Sequence, residues 1–188
     1  YLAHMKTIVE DHFSNQDYFS RAQYLQNLIS NDVQNDPNKF YSFNDFTTNL
    51  TSQVSLPSSI CPGITQLMDS RSTYLTNYWA NFNQPIISNI QSLPNSNQFF
   101  GNDLTITAEI QDASYAMLAY RFGENMPFQE VEMYDDGNHN DGNANDGVYG
   151  VVITNCSNSI DYYLYADNSD IGVFSPQNAA YELSLIHI

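Results

Sequence analysis

The sequence of 188 residues is long enough for one large domain or two small ones, each with its own core. Its 21 acidic residues face only 5 basic ones, so the net charge is −16, which argues against binding to nucleic acids or anionic membrane surfaces. No apolar run reaches the ~20 residues that a membrane helix needs, so membrane insertion is not expected.

The negative charge is distributed unevenly along the chain. Residues 1–95 carry seven acidic and four basic residues, whereas residues 96–188 carry fourteen acidic residues and one basic residue, Arg121. The hydrophobic periodicity also changes from helical to strand-like after Trp79. We therefore expect an α+β protein in two units: a helical segment over residues 1–80, then an all-β, Ig-like or fibronectin-like sandwich over residues 81–182.

Apolar residues at i, i+3 and i+4 predict two helices near the start of the chain, and we interpret both stripes as core. Ser14 and Asp17 resemble a capping box at the start of the second helix, and Asp36 before Pro37 ends it. The first stripe comprises Leu2, Met5, Ile8, Val9 and Phe13. The second comprises Phe19, Ala22, Leu25, Leu28 and Ile29.

Two further helices are predicted before the change of periodicity. Ser42 and Asp45 are placed to cap a short third helix that continues through Leu50. A segment rich in Pro and Ser, residues 56–62, leads to the fourth, with Pro62 suited to its first turn. The stripe of the fourth helix, also interpreted as core, comprises Ile64, Leu67, Met68, Arg71, Tyr74, Leu75 and Tyr78.

The second half alternates apolar and polar residues, most clearly from Leu104 to Ile110, as a half-buried strand does. About seven short strands with turn-rich connections are typical of an Ig-like sandwich. The other predicted strands are Pro85–Ser92, Ala116–Phe122, Phe128–Tyr134, Gly147–Thr154, Ile160–Ala166 and Ala179–Leu183.

Residues 135–150, which read DDGNHNDGNANDGVYG, are the most distinctive stretch of the sequence. Asn, Asp and Gly tolerate the left-handed backbone of tight turns, and carboxylate and amide oxygens are the ligands that Ca²⁺ prefers. The stretch is therefore a structural turn, a calcium site, or both. The expected ligands of a calcium ion are Asp136, Asn138, Asp141, Asn143 and Asp146.

The loop does not match the EF-hand pattern, which requires Gly at position 6 and Glu at position 12. Counted from Asp136, these positions hold Asp141 and Gly147. Counted from Asp141, they hold Asp146 and Val152. Any calcium site here is of another kind.

Other candidate residues are scattered. His4 and His12 lie two helical turns apart without a third ligand for zinc, and no nucleophile turn of a hydrolase is present. Cys61 and Cys156 lie in different halves, and we expect two free thiols. Tyrosines on the predicted strands either stack on sugars or divide between core and surface. They are Tyr115, Tyr120, Tyr162, Tyr163 and Tyr165.

Both halves resemble parts of the CotH kinase family. Tyr1–Glu10, Phe43 with Phe46, and Ile64–Leu75 are similar to the helical C-terminal end of the kinase-like domain, which closes with an R-x-x-x-L helix. Met133–Gly150 resembles the motif M-Y-D-D-G-x-H-x-D-G-x-A-x-D-G-x-Y-G of the sandwich that follows this domain in secreted bacterial proteins. The resemblance covers nearly all of residues 1–182.

The resemblance implies a parent protein that transfers phosphate from ATP to protein hydroxyls, with metal-bound carboxylates. Residues 1–95 contain no Gly-rich phosphate loop and no HRD-like or DFG-like triplet, so no catalytic residue is assigned to this chain. ATP and Mg²⁺ are expected only in a kinase-like domain upstream, which would be a partner in cis. The location implied is extracellular or on the cell surface.

Three functional hypotheses follow. The first is a non-catalytic C-terminal portion whose sandwich acts as a spacer or as a binding module for a glycan or protein surface. The second is part of a secreted protein kinase whose active site lies upstream. The third is a calcium-dependent adhesion module.

Residues 183–188 resemble a translated sequencing adaptor, so we expect the native sequence to stop near Glu182.

Overall fold

The computed structural model describes residues 1–93, 102–156, 159–179 and 184–186. The chain divides into two compact units, Ala3–Asn81 and Phe82–Ile188. Among the described residues, helices occur only in the first unit, and the strands of the second unit form antiparallel sheets. This confirms the predicted fold class of a helical segment followed by an Ig-like sandwich.

The first unit begins with α1 (Leu2–Ile8), which continues into a π-helical segment, Val9–Phe13. The longest helix, α2 (Asp17–Asn35), is followed by α3 (Phe43–Thr48). A short hairpin of β1 (Val54–Leu56) and β2 (Ser59–Cys61) then leads to α4 (Ile64–Trp79). The sequence did not predict the hairpin, which occupies most of the segment rich in Pro and Ser.

One predicted helix cap is confirmed and the other is wrong. Ser42 accepts a hydrogen bond from Asp45 N at 3.0 Å, and the Asp45 carboxylate accepts one from Ser42 N, which completes a capping box. At α2 the capping position is Gln16, whose φ of 61° is left-handed and whose side chain makes no cap. Ser14 instead lies 3.3 Å from the Ser72 hydroxyl, because the π-helical segment carries the chain past the expected start.

The apolar stripes of the first unit are far more exposed than predicted. No residue of α2 is buried, and the exposed fractions of Leu25, Leu28 and Ile29 are 43%, 63% and 46%. In α4, Ile64 and Tyr74 are also exposed. The interpretation of these stripes as core is therefore wrong for α2, because the neighbouring elements leave every residue of this helix at least partly exposed.

The second unit pairs its strands into two sheets. One, in the order β3-β4-β7, contains β3 (Ile86–Leu93), β4 (Asn102–Gln111) and β7 (Val148–Cys156). The other, in the order β10-β8-β5-β6, contains β5 (Tyr115–Arg121), β6 (Gln129–Glu132), β8 (Ile160–Asp167) and β10 (Ser184–Ile186), with β9 (Gly172–Ser175) also paired to β8. The sequence missed β9, and the predicted strand Ala179–Leu183 lies almost wholly outside the described residues.

The core of the second unit lies between the sheets, since alternate residues of each strand point inward. Leu104 and Ile106 of β4 and Leu118 and Leu164 of β5 and β8 are completely buried in one cluster. Strand β8 alternates between buried and half-buried residues along its length. In β4, the alternation from Leu104 to Ile110 that predicted the strand therefore also marks the residues that enter the core.

Candidate functional site

The acidic loop connects β6 to β7, as predicted, and its ends are pinned together. Tyr134 and Gly150 exchange two backbone hydrogen bonds, of 3.0 and 2.8 Å. The loop also contacts β4, because Ile110 N donates to Gly147 O at 2.9 Å and the Asn140 amide donates to Thr105 Oγ1 at 3.1 Å. The loop is thus packed onto the edge of the sandwich rather than extended from it.

Asp141 lies at the centre of the loop and is only 2% exposed. Its Oδ2 accepts hydrogen bonds from Asp136 N at 2.8 Å and Gly137 N at 2.9 Å, and its Oδ1 accepts one from His139 N at 3.0 Å. Burial raises the pKa of this carboxyl, but the backbone donors together lower it by more. The pKa of Asp141 therefore lies below its usual value. Asp141 is a buried anion that backbone dipoles neutralise.

Asp135 and Asp146 close the second half of the loop in the same way. Asp135 accepts from Asp146 N at 3.1 Å and from Gly147 N at 2.9 Å. Asp146 accepts from Asn143 N at 2.9 Å and from Val148 N at 3.0 Å. Each carboxylate thus replaces the backbone partner that an irregular segment lacks.

Asp136 organises the exposed side of the loop. Its Oδ1 accepts from Asn138 N at 2.9 Å and lies 2.9 Å from His139 Nδ1. The Asn138 hydrogen bond, followed by that of His139, lowers the pKa of the Asp136 carboxyl. The His139 ring also stacks on Tyr134, with 5.2 Å between ring centroids.

The backbone conformation of the loop explains its composition. Five of its described residues have a positive φ, which Gly and Asn adopt at the lowest cost. They are Gly137, Asn140, Gly142, Asn145 and Gly147. At Gly150, a Cβ atom would lie 2.5 Å from His139 O and 3.0 Å from Asp141 Cβ, so only glycine lets the loop fold down onto β7.

The five residues predicted as calcium ligands are all in the loop, but their polar groups contact the loop itself. Asp136, Asp141 and Asp146 accept backbone N–H groups, Asn138 donates to Asp136 O at 3.3 Å, and Asn143 contributes its N–H. Across the described parts of the chain, no group of three His, Cys, Asp or Glu side chains is arranged to hold a metal ion. Calcium binding stays a prediction.

The strand tyrosines divide between the two sides of one sheet. Tyr120 and Tyr162 are 8% exposed and belong to the core. Tyr163 and Tyr165 point to the outer side of β8, where they contact Phe174 with ring centroids 5.9 and 5.2 Å apart. Sequence reasoning did not include Phe174 or Phe128 in this group, because strand alternation does not show which strands are neighbours.

The first unit contains an apolar groove of about 480 Å³ between α2, α3 and the hairpin. Leu25, Ile29 and Phe46 line it, together with Phe40, which is 94% exposed.

The two cysteines form no disulfide with each other, as predicted. Cys61 is exposed beside the groove, and Cys156 is buried in the sandwich. Among the described residues, no helix is long and apolar enough to cross a membrane.

Comparison with known proteins supports the Ig-like assignment of the second unit. Residues 122–158 match the family model described as "Conditioned medium factor 2nd Ig-like domain". The match spans the acidic loop together with β6 and β7. A search of curated proteins finds no match.

A solved structure titled "Crystal structure of Br derivative BhCBM56" is 15% identical to the chain, with a TM-score of 0.34. The aligned region covers 55% of this chain and 89% of that chain. A superposition this loose identifies neither the fold nor a ligand.

Proposed function

We propose that this chain is a non-catalytic portion of a secreted or cell-surface protein of the CotH kinase family, in which the Ig-like sandwich is a spacer or binding module. Two findings support the proposal: the resemblance of both halves to that family, and the Ig-like match over residues 122–158. The observation that carries it is the hydrogen bonding of the acidic loop.

The loop is the strongest candidate for chemistry, yet its carboxylates are committed to structure. Asp135, Asp141 and Asp146 each accept at least two backbone N–H groups. A general base must reach a substrate proton, and Asp141 is both buried and held by three donors. The loop therefore serves best as a rigid brace between β6 and β7.

A phosphorylation assay tests the non-catalytic assignment. The 188-residue chain and a full-length parent are incubated with labelled ATP, Mg²⁺ or Mn²⁺, and a protein substrate. We expect phosphate transfer by the parent and none by the chain, because the phosphate-binding Lys and metal-binding carboxylates would lie upstream. Phosphate transfer by the chain alone would contradict the non-catalytic assignment. An inactive parent would contradict the hypothesis that the parent is a protein kinase.

Calcium-dependent adhesion is the alternative, and thermal unfolding separates it from a purely structural loop. We expect the melting temperature to be the same in 1 mM CaCl₂ and in excess EDTA (about 1 mM is a saturating trial concentration for extracellular sites). The backbone donors around Asp141 already neutralise its charge, so a cation adds little. A calcium-dependent rise that disappears in Asp141→Asn would instead establish a calcium site.

A further inference from the structure

The outer side of the sheet that contains β5, β8 and β9 carries a continuous row of aromatic rings. Phe128 contacts Tyr163 at 5.2 Å between centroids, Tyr163 contacts Phe174 at 5.9 Å, and Phe174 contacts Tyr165 at 5.2 Å. We name these four residues the aromatic face. All four are half-buried, so each ring is held by its neighbours and still reaches solvent.

Gly172 seats one end of this row. It pairs with Asp167 on β8, and a Cβ atom at Gly172 would lie 2.6 Å from Tyr165 Cζ. The Tyr165 ring therefore lies against the β9 backbone at the point where a side chain is missing. Its hydroxyl, at the same end of the ring, donates to Asp167 Oδ2 at 2.9 Å.

Burial, followed by the hydrogen bond to Asp167, raises the pKa of Tyr165 to about 12. The hydroxyl therefore stays protonated and remains a donor to Asp167 at neutral pH. Two contacts that do not depend on a ligand hold the ring, so little side-chain entropy is lost when something stacks on it.

Carboxylates border the aromatic face, and its one described cation is already paired. Glu130 lies near enough to Tyr163 to raise the pKa of that phenol, after the larger effect of burial. Arg121 donates to Asp161 at 2.9 Å, and its guanidinium lies over the Phe128 ring, 4.8 Å from the centroid. The face thus offers apolar rings and hydrogen-bond acceptors but repels anions.

We propose that the aromatic face binds a neutral polysaccharide. A pyranose ring has an apolar C–H face that stacks on an aromatic side chain and a rim of hydroxyls that donate to carboxylates. The aromatic face supplies the rings for stacking, and the carboxylates beside it supply acceptors for the hydroxyls. Its negative charge disfavours acidic glycans. The inference rests on the proposed role of the sandwich as a binding module and specifies its ligand.

Depletion binding tests the proposal with the full 188-residue chain. The chain is mixed with microcrystalline cellulose, chitin or soluble starch, and with heparin as the anionic comparator. We expect retention by at least one neutral polysaccharide and none by heparin. Because hydroxyl contacts and stacking do not depend on ion pairing, retention should be the same at low and high NaCl.

Matched variants locate the site. Tyr163→Ala and Tyr165→Ala should each weaken binding roughly tenfold, as the loss of one stacked ring predicts. Tyr24→Ala is the matched control: it removes a tyrosine that is 57% exposed in the other unit and should leave binding unchanged. Circular dichroism and melting temperature establish that each variant is folded.

The proposal is overturned if the chain binds none of the three neutral polysaccharides. It is also overturned if a folded double variant, Tyr163→Ala with Tyr165→Ala, binds as strongly as the unmodified chain. Binding that high salt abolishes also contradicts it, since that result indicates an electrostatic ligand. None of these results affects the phosphorylation assay, so the non-catalytic assignment stands or falls separately.

Discussion

Asp141 illustrates how a single carboxylate can hold an irregular loop. It is almost fully buried, yet three backbone N–H groups satisfy its two oxygens. Buried charges are tolerated only when they are paired in this way. The residue was chosen from the sequence as an ion ligand, and the structure places it where it has a structural role of its own.

Replacing Asp141 with Ala should destabilise the sandwich by about 2–3 kcal/mol, because three backbone donors lose their acceptor and a buried side chain is removed. Chemical denaturation monitored by fluorescence measures the change. Glu124→Ala is the matched control, since the carbonyl of Glu124, rather than its carboxylate, contacts Arg121. Equal stability of Asp141→Ala and the control would contradict the role assigned to this carboxylate.

The same carboxylate predicts a dependence on pH. The folded-state pKa values of Asp141 and Asp136 lie below the ordinary value of 3.8. Their contribution to stability is therefore complete above pH 3.8 and is lost as the pH falls through the lower folded pKa. Unfolding free energies measured downward from about pH 5 should decline below that value. The decline should be shallower in Asp141→Asn, and parallel curves would refute the linkage.

At the scale of elements, α2 and the strands of the sandwich differ in what holds them. All 19 residues of α2 keep some exposure, whereas β4, β5 and β8 contribute completely buried side chains to one core. Helix periodicity predicted α2 correctly as a helix but not its burial. A stripe of apolar residues indicates which side of a helix favours burial. It does not indicate whether another element covers that side.

A pair of leucine substitutions measures this difference. Leu118→Ala, in the core, should cost about 2–5 kcal/mol, because it removes buried methyl groups and leaves a cavity. Leu28→Ala, at a position 63% exposed, should cost less than about 0.5 kcal/mol. A large loss for Leu28→Ala in the isolated chain would indicate that the apolar side of α2 is covered in solution.

For the whole molecule, the two units should differ in local stability. We expect amides of α2 to exchange with solvent faster than those of β4, since α2 buries no side chain and β4 buries Leu104 and Ile106 completely. Hydrogen exchange followed by mass spectrometry resolves the two segments. Slower exchange in α2 than in β4 would show that the helical unit is the more stable one.

The sequence by itself determined the change from helices to strands, the alternation that forms the sandwich core, and the position of the acidic loop between two strands. These features depend on local periodicity and on turn chemistry, which short segments carry by themselves. The Ser42 cap was predictable for the same reason, since it involves residues only three apart.

Only the tertiary structure decided the roles of the side chains. It assigned the loop carboxylates to backbone donors, left the stripe of α2 exposed, and brought Phe128 and Phe174, which both lie outside β8, beside Tyr163. The physical reason is that burial, hydrogen-bond partners and ring contacts are set by which segments become neighbours. The hydrophobic periodicity of a single segment does not indicate which other segments it will contact.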